Sequence, residues 1–131
     1  MAADRLISSG GPWEAKIGYS RAVVAGEYVH VSGSTATVDG ELQHKGDAYG
    51  QTLVALENVI AGALAQVGYS LSDVVRTRVY LANAEDMDRV GEAHGKIFGE
   101  IRPAATMLAG IQFINPDMLV EIEVDAWKRS K

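Results

Sequence analysis

Leu53, Leu56, Ile60, Leu64 and Val67 recur at steps of three and four, with Val59 and Ala63 alongside, while Glu57, Asn58 and Gln66 fall off that stripe. This is the period of a helix with one buried face. Gly68 is placed to end it, because glycine enters the left-handed region without a steric penalty. A second helix is predicted from about Asp86 to Gly99, with Met87, Val90, Ile97 and Phe98 on one face and Pro103 closing the region. Elsewhere the period is two. Arg21 to Ser32 alternates around Gly26-Glu27 and reads as a β-hairpin. Val74 to Leu81 alternates as a strand, and two more strands are expected over about Ala104–Ile111 and Leu119–Trp127, joined by a turn at Asn115-Pro116-Asp117. Asp39-Gly40 signals another tight turn. Ser8-Ser9-Gly10-Gly11-Pro12 is a loop by composition.

The resulting order, β-β(-β)-α-β-α-β-β, predicts an α+β fold: a single sheet with two helices packed on one face. At 131 residues, the chain is expected to be one domain, 1–131, large enough to bury a core. Strand alternation assigns the faces. Val75, Thr77, Val79 and Leu81, with Val120, Ile122, Val124 and Ala126, suit the helices. The opposite faces carry Val74, Arg76, Arg78 and Tyr80, and Leu119, Glu121, Glu123, Asp125 and Trp127. Two readings of that charged face stand at this point. One is a solvated surface with cross-strand ion pairs, each contributing about 0–1 kcal/mol. The other is a face covered by a partner, which Tyr80 and Trp127 favour because aromatics are enriched at interfaces.

Composition removes several kinds of chemistry. There is no cysteine, so disulfides, thiolate catalysis and cysteine-bound zinc are excluded. His30, His44 and His94 lack paired metal-ligand spacing, the glycines form no phosphate-binding loop, and no Ser-His-Asp constellation stands out. No metal or other cofactor is expected. The net charge of −5 argues against a nucleic-acid partner held by phosphate neutralisation. No apolar run has the length of a signal peptide or a membrane span, so the expectation is a cytoplasmic protein with no membrane partner.

Specific segments carry more. Gly18-Tyr19-Ser20-Arg21-Ala22-Val23, Val31-Ser32-Gly33, Gln51-Thr52-Leu53, Leu56-Glu57-Asn58, Ser70 to Val75, Arg102-Pro103-Ala104 and Leu119-Val120-Glu121-Ile122-Glu123 together resemble the reactive-intermediate deaminase family (RidA/YjgF, also called the L-PSP endoribonuclease family). The resemblance runs from Ile7 to Ala126. It implies a chorismate-mutase-like fold, a homotrimer, and small-molecule ligand sites in the clefts between subunits. In deaminating members an arginine directly follows the Pro-Ala pair and holds the substrate carboxylate. Here Ala105 stands in its place, so this chain resembles a divergent subgroup.

The resemblance also nominates residues. Glu121 is the candidate catalytic group, positioned to activate the water that attacks an imine carbon, because a carboxylate partly desolvated in a cleft gains proton affinity. The competing reading makes it a salt-bridge partner of Arg76 or Arg78. Tyr19 would wall the pocket, though Ile17-Gly18 precedes it where the family has Gly-Pro. Ser32 and Gly33 match the family's Ser-Gly, and Gly33 either admits a ligand near the backbone or merely ends a strand. Met107 stands where cysteine is frequent, and Thr106 keeps a hydroxyl nearby. Arg21, where glutamine is commoner, is a candidate replacement anchor for an anion or else a surface or intersubunit ion pair; Arg102 is a weaker candidate of the same kind. Gly91 occupies the place of a family asparagine. His94, one turn later, is either a pocket residue or a satisfied core histidine. Trp13 either covers the cleft or plugs the core. The function this implies is binding of a small molecule, with hydrolysis of an enamine- or imine-type metabolite by Glu121. The alternatives are a non-catalytic ligand-binding or regulatory trimer and, with less support, an endoribonuclease or translation inhibitor.

Overall fold

The computed structural model describes residues 5–128. The expected single domain extends to residues 1–4 and 129–131, which lie outside the described residues. The main sheet has six strands: β1 (Arg5–Ile7), β2 (Ala22–Ala25), β3 (Tyr28–Ser34), β6 (Val74–Leu81), β7 (Ala104–Leu108) and β8 (Val120–Trp127). Their order is β1-β2-β3-β8-β6-β7. Every pairing is antiparallel except β6 with β7, which is parallel. That parallel pair needs a crossover, supplied by helix α4 (Met87–Phe98). The predicted hairpin closes at Gly26-Glu27, with Ala25 opposite Tyr28. Asp39-Gly40 closes a separate two-stranded sheet of β4 (Thr37–Val38) and β5 (Glu41–Leu42), and both turn residues have positive φ, 52° and 82°.

The first long helical rod begins earlier than its apolar stripe suggests. α2 (Ala48–Val54) is capped by Asp47, whose side chain accepts from the Gly50 amide at 3.0 Å. It runs into a π-helical segment, Ala55–Ile60, and then α3 (Ala61–Ala65). Gly68, with φ 78°, follows its end. The core lies between this rod, α4 and the sheet. Leu56, Ile60, Leu64, Val90 and Phe98 meet Val29, Val31, Val79, Leu81, Ile122 and Val124, all essentially inaccessible. Burying each of the larger side chains contributes roughly 1.5–3 kcal/mol. Met87, expected on the buried face of α4, is exposed at its first turn.

Two irregularities in the sheet change which side chains share a face. In β6, Val74 pairs with Ala126 and Arg76 with Asp125, so Val75 is an extra residue. The predicted alternation is corrected there: Val74 is buried and Val75 exposed, because a bulge reverses the side chains that precede it. In β3, Val31 pairs with Val124 but Ser34 with Ile122, which leaves Ser32 and Gly33 together opposite Glu123. A short helix absent from the pattern, α1 (Pro12–Ile17), precedes β2 and starts with proline in its first turn.

Candidate functional site

Most of the candidate residues fall into two groups on opposite faces of the sheet. The first lies on the face away from the helices. Glu121 stands opposite Tyr80 on β8, and its side chain lies over Gly33. A Cβ built on Gly33 would meet Glu121 Oε2 at 2.5 Å and Cδ at 3.0 Å. The β3 bulge therefore presents bare backbone under the carboxylate, and Gly33 is not simply the end of a strand. Burial raises the proton affinity of Glu121 above the ordinary 4.5; the Arg21 charge offsets this and Glu123 reinforces it. Neither Arg76 nor Arg78 takes the carboxylate. Arg78 reaches Asp125 at 3.3 Å and Glu123 at 3.9 Å.

Arg21 is half-buried beside this carboxylate. Its Nη1 donates to Ser34 Oγ at 3.3 Å, and its guanidinium carbon lies 5.8 Å from the centroid of the exposed Tyr19 ring. Its Nε is buried without a hydrogen-bond partner among the described residues. Ser32 Oγ donates to the Ser20 carbonyl at 2.6 Å, which ties the bulge to the segment after Tyr19. Glu14, buried on α1, is a second carboxylate that feels the Arg21 charge. Burial raises its proton affinity, but hydrogen bonds from Ser9 and Ser8 and the Arg21 charge leave it below 4.5 overall. Ser8 Oγ donates to Oε1 at 2.8 Å, the Ser9 amide donates to Oε2 at 3.1 Å, and Ser9 Oγ also donates to Oε2. Glu14, Ser9 and Ser34 were not apparent from sequence. A carboxylate one residue after Pro12-Trp13 has no period to betray its burial; Ser8-Ser9 upstream was the available signal.

The rest of this face is polar and aromatic. Tyr80 donates to Glu123 Oε1 at 2.7 Å. That hydrogen bond, with burial, raises the phenol above its ordinary 10.0. His30 Nδ1 lies 2.8 Å from Asp125 Oδ1, and its ring stacks on Tyr28 with centroids 5.8 Å apart.

The second group lies on the helix side, at the β7 edge. Ala105 pairs with the buried Thr77 and Met107 with the buried Val79, so both turn toward the helices. Thr106 pairs with Arg78 and takes the other face. His94 on α4 reaches Thr77, Nε2 to Oγ1, at 2.9 Å and packs on Phe98. Ala105 is exposed, and Gly91 has no atom within 4 Å of where a Cβ would stand. Arg102 is exposed in the loop before Pro103 with φ 59°. Trp13 is 52% exposed with Lys16 Nζ 5.5 Å from its ring, so it does not plug the core.

The two best-formed hollows on the described surface contain neither Glu121 nor Arg21. One, of about 380 Å³, lies between the β4–β5 hairpin and the π-helical segment and is lined in part by Asp39, Glu41 and Asn58. The other, of about 460 Å³, lies along Gly110–Met118. Among the described residues no group of three or more His, Asp or Glu side chains could hold a metal ion, and no helix is long and apolar enough to cross a membrane.

The family model described as endoribonuclease L-PSP matches residues 12–128. An uncharacterized protein of Streptomyces coelicolor is 43% identical over 126 residues, covering 96% of this chain and 93% of that protein. A 3-aminoacrylate deaminase of Acinetobacter baylyi is 32% identical over 105 residues, 79% of this chain and 82% of that protein. Among solved structures, a Mycobacterium tuberculosis member of the YjgF/YER057c/UK114 family is 42% identical with a TM-score of 0.85, covering 96% of this chain and 100% of that one.

Proposed function

Because the chain belongs to the endoribonuclease L-PSP family, the RidA/YjgF family, we propose that it binds a small molecule between subunits of a homotrimer and hydrolyses an enamine- or imine-type metabolite there. The observation that carries this reading is the Glu121 carboxylate, held over Gly33 with its proton affinity raised by burial. A base of raised affinity accepts a proton from water readily near neutral pH. The oxygen of that water bonds to the imine carbon, the C=N electron pair moves to nitrogen, and nitrogen is protonated. Collapse of the carbinolamine then releases ammonia and leaves a carbonyl. The relative that acts on 3-aminoacrylate, itself an enamine, supports the reaction class.

The placement of the two groups supports the trimer. They lie on opposite faces of one sheet, one on β3 and β8, the other at the β7 edge. One copy cannot enclose a ligand with both, whereas a neighbour's β7 edge laid against the open face can. Multi-angle light scattering at micromolar concentration should report a trimer.

The test of the chemistry is imine hydrolysis. An amino-acid oxidase or dehydratase generates imines in situ, and semicarbazide traps what escapes. Faster ammonia release that disappears in Glu121→Gln supports the hydrolase. No acceleration with small or bulky imines would leave the second reading, a ligand-binding trimer, which Ala105 favours by lacking the guanidinium that grips a carboxylate in two places. Ala105→Arg separates the two: deaminase activity appearing only in the variant means the scaffold kept its catalytic half.

A further inference from the structure

The helix side of the β7 edge contains a polar pair that this hydrolysis does not use. Thr77 is fully buried in the middle of β6. Its Oγ1 lies 2.9 Å from His94 Nε2, the one hydrogen bond found for either side chain among the described residues. Burial pushes His94 below its ordinary 6.5, so the imidazole is neutral at pH 7 and carries a single N–H. The Thr77 hydroxyl decides which nitrogen holds it. If Nε2 were protonated, it would donate to Oγ1, and the hydroxyl proton would be a buried donor with no acceptor, a disfavoured arrangement. Thr77 therefore donates, Nε2 accepts, and the ring proton sits on Nδ1. Among the described residues, Arg21 Nε is the one side-chain polar atom buried without a partner. His94 Nδ1, which has no partner among those residues, is accordingly not fully buried.

The positions around it carry little side chain. Ala105, the cross-strand partner of Thr77, is exposed and ends at its methyl. Gly91, one turn before His94, has open space where a Cβ would stand. Thr77, Ala105 and neutral His94 bring no charge to this shelf. A carboxylate set on it would lose hydration without gaining a cation, whereas a carbonyl loses far less.

We propose that His94 is a specificity-determining residue whose Nδ1–H donates to a neutral acceptor of the ligand, an amide or ester carbonyl, at the β7 edge. The proposal rests on the reading that this edge is one wall of the ligand cleft. It assigns the substrate class as enamines or imines whose end at this wall is uncharged.

The test uses the full chain with ¹⁵N-labelled histidine and long-range ¹H–¹⁵N correlation, His94 being assigned by its loss in His94→Gln. At pH 7 His94 should show the Nδ1–H tautomer, retained in Thr77→Ser and lost in Thr77→Val. Pyruvamide and pyruvate, one skeleton with a neutral or a charged end, are then titrated. Pyruvamide should move the His94 resonances at roughly tenfold lower concentration than pyruvate, because only the carboxylate gives up a charged group's hydration at this wall without gaining a cation. By calorimetric titration, His94→Phe should bind pyruvamide roughly tenfold more weakly than the wild type does, the scale of one lost hydrogen bond, and undiminished binding would overturn the proposal. An Nε2–H tautomer, equal or tighter binding of pyruvate, or no response to either compound at millimolar concentration would each overturn the proposal. Glu121→Gln should leave these shifts in place. If it does while the wild type hydrolyses no imine, the hydrolase reading and the substrate assignment fail and the His94 contact stands as a ligand contact; active hydrolysis without pyruvamide preference gives the reverse.

Discussion

Replacing Gly33 by alanine tests whether the β3 bulge positions Glu121. The added methyl would stand 2.5 Å from Glu121 Oε2, 3.0 Å from Cδ and 3.3 Å from Cγ. Carbon–oxygen contacts settle well beyond 3 Å, so the carboxylate must retreat by about 1 Å. Gly33 does not have positive φ, so alanine meets no backbone penalty. The displaced group is the end of a flexible side chain, and an off-rotamer adjustment costs about 0.5–1.5 kcal/mol. The fold should therefore survive with a loss of at most about 1.5 kcal/mol in urea denaturation. The carboxylate moves out of its half-buried position, so its proton affinity should fall back toward 4.5, read by ¹³C NMR titration of the Glu121 carboxyl. A 1 Å misplacement of a reacting group can reduce turnover about a hundredfold, and imine hydrolysis should drop on that scale. An unchanged Glu121 titration in a folded Gly33→Ala protein would mean that the bulge does not set the burial of this carboxylate, whatever the activity.

Other perturbations test the frame. Gln51 is fully buried and holds three backbone groups: its Nε2 donates to the His44 and Asp117 carbonyls at 3.2 and 3.1 Å, and its Oε1 accepts from the Leu119 amide at 2.9 Å. Gln51→Leu keeps the volume and strands those partners, so it should destabilise by about 2–4 kcal/mol in chemical denaturation; a loss below about 1 kcal/mol would mean water replaces the amide. For Glu121 the pH dependence has a defined sign. Its folded affinity lies above 4.5, so between 4.5 and the raised value the folded chain holds a proton that the unfolded chain releases, and stability falls as pH rises through that window. Glu121→Gln lacks this term. It should gain on the wild type as pH rises above 4.5 and then level off, and a difference constant from roughly pH 4 to pH 8 would contradict the burial argument.

The periodic elements were legible in the chain because their signals are local. Leu56, Ile60 and Leu64 mark a buried helical face wherever the rod packs, and Ile122, Val124 and Ala126 mark a strand buried on one side. The motifs around Tyr19, Gly33 and Glu121 named the family on composition and order alone. What the sequence could not supply was register. Whether Val74 or Val75 faces the core depends on the extra residue in β6, and a bulge exists only relative to the strand it pairs with. The same holds for Ser32-Gly33, where the β3 bulge and not the alternation brings a bare backbone under Glu121. Glu14 lies seven residues from Arg21 and more than a hundred from Glu121, yet the Arg21 charge acts on both carboxylates. Thr77 and His94 sit on different elements, and their 2.9 Å contact fixes a tautomer that neither residue specifies alone. Residue types and period thus determined which elements form and which chemistry is present. Only tertiary packing decided which groups share a face, since burial, charge and hydrogen bonding act through space between segments distant in the chain.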